Sequence, residues 1–460
     1  MAFELKGKRV LVIGLARTGI ATALFCAARG AIVAATDTRP EAEFGETAER
    51  LRRAGIALEL GGHSERVLSG RELLIPSPGV PADAPILLSA RARGITVWSE
   101  IELAYRFLKG RIIGITGSNG KTTTTSLTEH ILRQSGFSTM LAGNIGTPLI
   151  SCVDASDETS IVVTELSSFQ LELIDTFRPY VSVFLNLTPD HLDRHGSMDT
   201  YGAAKARIFE NQTNTDFAVL NADDPATIQH APTEPQIFWF SRKQDVALGA
   251  FLRSDEIAFR SRGHEETILK RSEIPLPGAH NLENVLAAVC AARLAGAKPE
   301  AIASAIRSFA GVEHRLEFVA EHNGVRYYND SKATNVDATL KALDAFPGRI
   351  LIILGGKDKG SEYTVLQKPL REKAILALLI GAAADKIERQ IAGTVAIERA
   401  GTIERAMEIA AHEAQPGDIV LLAPACASFD QFQNYEHRGR VFKELVKQIA
   451  GQVEGAALGK

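Results

Sequence analysis

Along most of the chain, short aliphatic and β-branched runs alternate with stretches whose apolar positions recur at three- and four-residue spacing. The runs include RVLVIG at 9–14, IVAATD at 32–37, ELLIPSPG at 72–79, IIGIT at 112–116, IVVTE at 161–165, VSVFLN at 181–186 and FAVLNADD at 217–224. Four more follow at RYYND (326–330), RILIILGG (349–356), AILALLIG (374–381) and DIVLLAPA (418–425). Unbroken apolar runs mark strands buried on both faces, and helical patterns between them supply the crossovers of parallel sheets. The pattern therefore predicts α/β architecture with mainly parallel sheets. It divides into three domains, 1–99, 100–311 and 312–460. The middle one opens with the amphipathic run from Ile101 to Leu108 and ends with the helical LENVLAAVCAARLAG. The tail after Gln448 reads as frayed.

Size and composition agree with several domains. A chain of 460 residues exceeds what one core organises. Its hydrophobic share of 45% and charged share of 23% are those of a globular protein. A net charge of −4 gives no basic footprint for nucleic acid or an anionic membrane. The four cysteines, Cys26, Cys152, Cys290 and Cys426, form no CxxC pair, which argues against zinc and disulfides and for reduced thiols. The start, MAFELKGKRV, lacks the apolar core of a signal peptide, and the longest apolar run, Ala374 to Ala384, is too short to span a bilayer. A cytoplasmic protein without membrane insertion is expected, with a monomer as the default.

The densest chemistry lies at IIGITGSNGKTTTTSL, 112–127. A strand feeding a glycine turn into a helix aims backbone N–H groups at one point, where the helix dipole also favours an anion. Gly117, Ser118, Asn119, Gly120, Lys121, Thr122 and Thr123 thus predict a phosphate cradle. Lys121 would meet the β and γ phosphates, and the Thr122 hydroxyl the accompanying magnesium. The full P-loop pattern wants a glycine where Ile115 stands, so the match is to a shortened GxxGK[ST] form.

In the first segment, RVLVIG followed by Leu15, Ala16, Arg17, Thr18 and Gly19, with Asp37 ending the next strand, resembles a dinucleotide fingerprint. The middle glycine that lets a pyrophosphate approach is Ala16 here, which weighs against a dehydrogenase. A nucleotide or nucleotide sugar is the expected ligand, with amides near Leu15 to Thr18 on its phosphates. Asp37, Thr38 and Arg39 would address base or phosphates, and Ser77 and Gly79 another ligand edge.

Four further places in the middle segment carry polar chemistry. Asn144 sits between glycines; Glu165 follows a buried strand, where P-loop proteins hold magnesium. The cluster from Asn186 to His195 ends another strand, and spacing does not decide which of His191 and His195 acts. Lys205, among small residues on a helix, reads by itself as a solvated charge.

Together these motifs resemble the ATP-dependent Mur ligases of peptidoglycan synthesis, over essentially the whole chain. The most selective segments are YNDSKATN at 328–335, LGGKDK at 354–359 and ACASFDQF at 425–432, with Tyr435, Arg438 and Gly439 beyond them. They look specific to the branch that adds D-glutamate to UDP-N-acetylmuramoyl-L-alanine. The resemblance implies a Rossmann-like UDP-binding domain, a central P-loop ATPase-like domain and a C-terminal Rossmann-like domain that binds the amino acid. It implies that Lys205 is carbamylated and that two Mg2+ ions serve the reaction, one at Thr122 and Glu165, the other at His191 and Lys205. Asn281, Asn284, Arg315 and Asp330 match nucleotide positions. Lys332, Thr334, Lys359, Ser428 and Tyr435 match D-glutamate positions, with Lys357 competing with Lys359. The implied reaction forms an acyl phosphate from ATP, then an amide. Rivals are another ligase of the superfamily, such as a folylpolyglutamate synthase, and a P-loop protein that binds nucleotide without synthesis.

Overall fold

The computed structural model describes residues 3–457. Three sheets are present. The first is a five-stranded parallel sheet in the order Ala57–Leu60, Ile32–Asp37, Arg9–Ile13, Leu73–Pro76, Thr96–Val97. The order reverses at the strand Arg9–Ile13, so a crevice opens at its carboxyl end, where doubly wound sheets take ligands. Gly19 of the helix Arg17–Ala28 packs against this strand's exit so closely that a Cβ there would run into the Gly14 carbonyl oxygen. The third glycine of the fingerprint thus serves helix–strand packing.

The second sheet has nine strands, in the order His264–Lys270, Glu256–Ser261, Gly249–Arg253, Gln236–Ser241, Phe217–Asn221, Val181–Phe184, Arg111–Thr116, Ile161–Glu165, Thr139–Gly143. Its last seven strands are parallel. Gly249–Arg253, Glu256–Ser261 and His264–Lys270 form an antiparallel meander, which the expectation of parallel strands did not include. Charged residues interrupt Glu256–Ser261 and His264–Lys270, so they lack the continuous apolar run that reveals a buried strand. The third sheet runs Glu317–His322, Val325–Asn329, Ile419–Leu422, Ile350–Gly355, Ala374–Ile380, Ala396–Gly401 and is parallel except at its first pair. The amphipathic run at 101 is helical only over Glu100–Tyr105. The closing helix extends from Tyr435 to Ala457, so the backbone from 449 to 457 is helical where fraying was expected.

The chain forms two compact units: Met1–Glu273 with Glu283–Arg307, and Ile274–Leu282 with Ser308–Lys460. The first holds the first two sheets. They are joined by buried polar contacts: the Ser99 amide donates to Leu173 O at 2.8 Å, and the fully buried Glu102 accepts from the amides of Asp175, Thr176 and Phe177 at 2.8–3.0 Å. Three amides and the Arg106 guanidinium compensate the cost of burying that charge. Glu100 is less well served. Its Oε1 accepts from the Ile150 amide at 2.6 Å while Oε2 has no partner, and burial raises its pKa to about 7. The four cysteines are all buried and unpaired. No described helix is long and apolar enough to cross a membrane.

Candidate active site

The strands Arg111–Thr116, Ile161–Glu165, Thr139–Gly143 and Val181–Phe184 are parallel neighbours, so their carboxyl ends share one edge. Each delivers a predicted residue there. The phosphate turn follows the first, and the helix Lys121–Gln134 begins directly after Gly120. Gly117 and Gly120 take φ of 149° and 83°, a region unfavourable to other residues, and a Cβ on Gly120 would strike the Asn284 side chain. Asn186, just past the strand Val181–Phe184, clamps the turn: its Oδ1 accepts from the Asn119 amide at 2.9 Å and its Nδ2 donates to Asn119 O at 3.0 Å. The Ser118 hydroxyl donates to Thr188 O at 2.9 Å. The Asn186 cluster therefore includes the mould that shapes the cradle, a role its spacing did not reveal.

Beside the cradle lie two oxygen donors suited to a hard cation. The Thr122 hydroxyl donates to Glu165 Oε2 at 2.8 Å, and Asn144 Nδ2 donates to Glu165 Oε1 at 2.8 Å. Thr122 and Glu165 are both buried. A hydroxyl and a carboxylate in contact at the carboxyl ends of adjacent strands match the donor chemistry of magnesium.

Lys205 departs from the solvated charge that its helix position suggests: it is 1% exposed. Its Nζ donates to Gly117 O at 2.9 Å, and Lys121 Nζ donates to the same oxygen at 2.8 Å. Lys121 is half-buried and also donates to Ser118 O at 2.9 Å, whereas the buried Lys205 shares the Gly117 carbonyl, a weak offset for a desolvated ammonium. Burial first, and repulsion from Lys121 second, push the Lys205 pKa well below the ordinary lysine value. Both effects favour the uncharged amine.

The histidines are separated by burial. His195 is buried, its Nε2 3.0 Å from Ser168 Oγ and its ring stacked on Phe169, so it is built into the wall. His191 is about half exposed, has φ of 53°, and lies with its Nε2 3.6 Å from Asp190 Oδ2. The left-handed backbone presents this side chain at the start of the short helix Leu192–His195. Tyr201, not singled out by the sequence, joins the parts: its hydroxyl lies 3.3 Å from Ser118 Oγ, and Lys205 Nζ sits 4.5 Å from its ring centre.

The first sheet carries a separate cavity of about 730 Å3, lined by Gly14, Ala16, Thr18, Asp37, Thr38, Arg39, Ser77 and Gly79 among others. Asp37 is largely occupied within the protein. Its Oδ2 accepts from the Leu15 amide at 2.6 Å, and its Oδ1 from the Arg39 amide at 2.9 Å. The hydrogen bonds to Arg39 and Leu15 outweigh burial and bring its pKa to about 2. It therefore orders the glycine turn and orients Arg39. His63 also lines the cavity, with Nδ1 2.9 Å from Thr36 Oγ1, and was missed in sequence because a lone histidine in a loop carries no pattern.

In the second unit, Asp330 directly follows the strand Val325–Asn329, and burial raises its pKa to about 7 against the pull of Arg315. Lys332 Nζ lies 4.0 Å from the Tyr435 ring centre, a cation–π contact that pairs two of the predicted residues. The Thr334 amide donates to Lys332 O at 2.7 Å, and Ser428 is buried. Lys357 and Lys359 are both exposed, which leaves the competition between them open. Asn281 falls in this unit and Asn284 in the first, where Thr124 Oγ1 donates to its Oδ1 at 3.3 Å.

Residues 8–99 match the N-terminal domain of MurD-like Mur ligases, 115–292 the Mur ligase middle domain, and 314–426 the Mur ligase glutamate ligase domain. The chain is 53% identical to the UDP-N-acetylmuramoylalanine--D-glutamate ligase of Koribacter versatilis, over 98% of this chain and 99% of the relative. The chain belongs to the Mur ligase family. The ligase of the same description from Acidobacterium capsulatum is also 53% identical, over 96% and 97% of the two chains. Among solved structures, the MurF ligase of Thermotoga maritima in complex with ADP aligns with a TM-score of 0.61 at 18% identity, covering 96% of each chain. The UDP-N-acetylmuramate-alanine ligase of that organism aligns at 0.59 and 20% identity, covering 96% and 99%. At these identities the likeness is one of fold, and it extends to the three-domain α/β plan of Mur ligases.

Proposed function

We propose that this protein is an ATP-dependent ligase that joins D-glutamate to UDP-N-acetylmuramoyl-L-alanine, releasing ADP and phosphate, in peptidoglycan precursor synthesis. Identity above one half with ligases of that description, along nearly the full length of both chains, supports the substrates. The observation that carries the chemistry is the cradle: two lysine amines on one carbonyl beside the Thr122–Glu165 oxygen pair. A carboxylate and an amine do not condense at neutral pH unless a carboxylate oxygen becomes a leaving group. Here the alanine carboxylate attacks the γ-phosphoryl of ATP to give an acyl phosphate. The D-glutamate amine then attacks the acyl carbon and phosphate departs. The first step needs mainly positioning and charge neutralisation.

In this reading the cradle, Gly117 to Thr123, holds the ATP phosphates, Lys121 neutralises the transferred group, and Asn281, Asn284, Arg315 and Asp330 serve the nucleotide. Thr122 and Glu165 hold one Mg2+, which supplies charge for the transferring phosphoryl group. The uncharged Lys205 amine adds to CO2, losing a proton to form a carbamate that with His191 holds the second ion. His191 also orients the incoming amine. The cavity of the first sheet takes the UDP moiety through Leu15, Ala16, Arg17, Thr18, Asp37, Thr38, Arg39, Ser77 and Gly79, with Asn144 toward the muramoyl end. Lys332, Thr334, Lys359, Ser428 and Tyr435 bind D-glutamate. Domain boundaries at 99/100 and 311/312, a monomer, and a cytoplasmic location, where ATP and UDP-linked precursors meet, complete the proposal.

The test is phosphate release from ATP and Mg2+ with UDP-N-acetylmuramoyl-L-alanine and one amino acid at a time: D-glutamate, L-glutamate, L-alanine, L-lysine or meso-diaminopimelate. Release with D-glutamate alone is expected. Release with a different amino acid would contradict the substrate assignment, and release with none would contradict the ligase.

A further inference from the structure

We propose that Arg194 is a positioning residue that sets where the carboxylate of the UDP-linked substrate meets the phosphate cradle; this rests on the ligase reading above. Arg194 spans the two sites. Its Nη1 donates to Pro78 O at 2.9 Å and its Nη2 to Val80 O at 3.4 Å, both on the loop that walls the cavity of the first sheet. Nη2 also donates to Glu172 Oε2 at 2.8 Å, and the guanidinium lies 3.8 Å from the Phe169 ring centre. Its backbone amide donates to His191 O at 3.1 Å. One residue therefore ties the nucleotide-cavity loop to the segment presenting His191.

The surroundings hold that tie rigid. Phe169 carries the guanidinium and the His195 ring, and meets His191 edge-on with centres 4.9 Å apart. Glu172 faces Arg194 with one oxygen and His195 Nδ1, at 3.5 Å, with the other. His195 in turn contacts Ser168 and Tyr201, and Tyr201 reaches the cradle at Ser118. The Ser99 amide's bond to Leu173 O crosses the same boundary, and it involves neither cavity nor cradle residues. Two carbonyls and a carboxylate converge on Arg194, a demand that a planar fork of donors meets and a lysine does not. The substrate's reacting carboxylate is covalently tethered to its nucleotide, so the separation between cavity and cradle decides whether it reaches the γ-phosphoryl in line. A displacement of ~1 Å at such a joint costs about 100-fold in rate.

The experiment compares Arg194→Ala and Arg194→Lys with the wild type. It measures phosphate release with D-glutamate, UDP and ATP binding by titration calorimetry, and recovery of Arg194→Ala with added guanidinium ion. The alanine variant is expected to lose about 100-fold in kcat while its UDP and ATP affinities stay within about threefold of the wild type. Arg194→Lys falls between, and guanidinium restores part of the alanine variant's rate. A structural role alone would weaken both ligands and be indifferent to guanidinium. A kcat within about twofold of the wild type, or binding losses as large as the rate loss, would overturn the proposal. A wild type without D-glutamate-dependent release would remove the ligase reading and this proposal with it; a wild type that turns over beside an unaffected Arg194→Ala would remove this proposal alone.

Discussion

Two strand–turn–helix units of this protein are built alike and equipped differently. At the first, Arg9–Ile13 leads through Gly14 into the helix Arg17–Ala28; at the second, Arg111–Thr116 leads through Gly117 and Gly120 into Lys121–Gln134. Both present a helix N-terminus at the crevice of a parallel sheet. The first turn is ordered by Asp37 through the Leu15 amide, and its cavity is broad. The second is ordered by Asn186 and crowded by Lys121, Lys205, Thr122 and Glu165. A shared backbone device suited to an anion stands at each. The side chains around it separate a place for holding from a place for phosphoryl transfer, in keeping with the roles proposed above.

Lys121→Ala should produce the largest effect: phosphate release falling by ~1,000-fold or more, with binding of the UDP-linked substrate retained. Retained turnover, read by the same phosphate assay, would erase the distinction between the turns. Lys205→Ala should lose on the order of 100-fold or more and recover partly with short carboxylic acids, whose oxygens replace the carbamate. Wild type stripped of CO2 should regain activity with bicarbonate, and regain less as pH falls through the lowered Lys205 pKa, because only the uncharged amine adds CO2. Full activity of the variant without added acid would contradict that role.

Gly19→Ala acts on the first turn. The new Cβ meets the Gly14 carbonyl, so the turn must open, and thermal unfolding should come several degrees lower with weaker UDP binding. An unchanged melting temperature would show that the helix packs more loosely there than its contacts imply. Glu100→Gln is the mildest. The Glu100 pKa is raised to about 7, above its unfolded value, so the folded state holds the extra proton and wild-type stability should fall as pH rises from the ordinary carboxylate range through 7. Glutamine keeps the acceptor for Ile150 without that loss. The variant should therefore melt higher than wild type at pH 8, with the difference disappearing at pH 5; equal melting at both would contradict the buried, unpaired carboxylate.

Much of this was legible in the chain because both turns follow continuous apolar runs, and such runs report strands buried on two faces. The resemblance to Mur ligases carried the three-domain plan and was borne out by the family matches. The strands Glu256–Ser261 and His264–Lys270 escaped because charges interrupt their apolar positions. The state of Lys205 was hidden for another reason: its partner Gly117 lies 88 residues away, and nothing in a helix of small residues records that contact. Asn186 and Tyr201 likewise act through distant backbone and hydroxyl partners. The difference in burial between His191 and His195 became readable only once Phe169 and Ser168 were seen to enclose the second.

The division between the two turns is tested most directly by titrating Gly19→Ala and Lys121→Ala, each with UDP-N-acetylmuramoyl-L-alanine and with ATP and Mg2+, in a calorimeter. The account predicts a crossed result: Gly19→Ala weakens the UDP-linked substrate and keeps ATP, while Lys121→Ala weakens ATP and keeps the UDP-linked substrate. Loss of ATP binding from the first variant, or of UDP-substrate binding from the second, would contradict it.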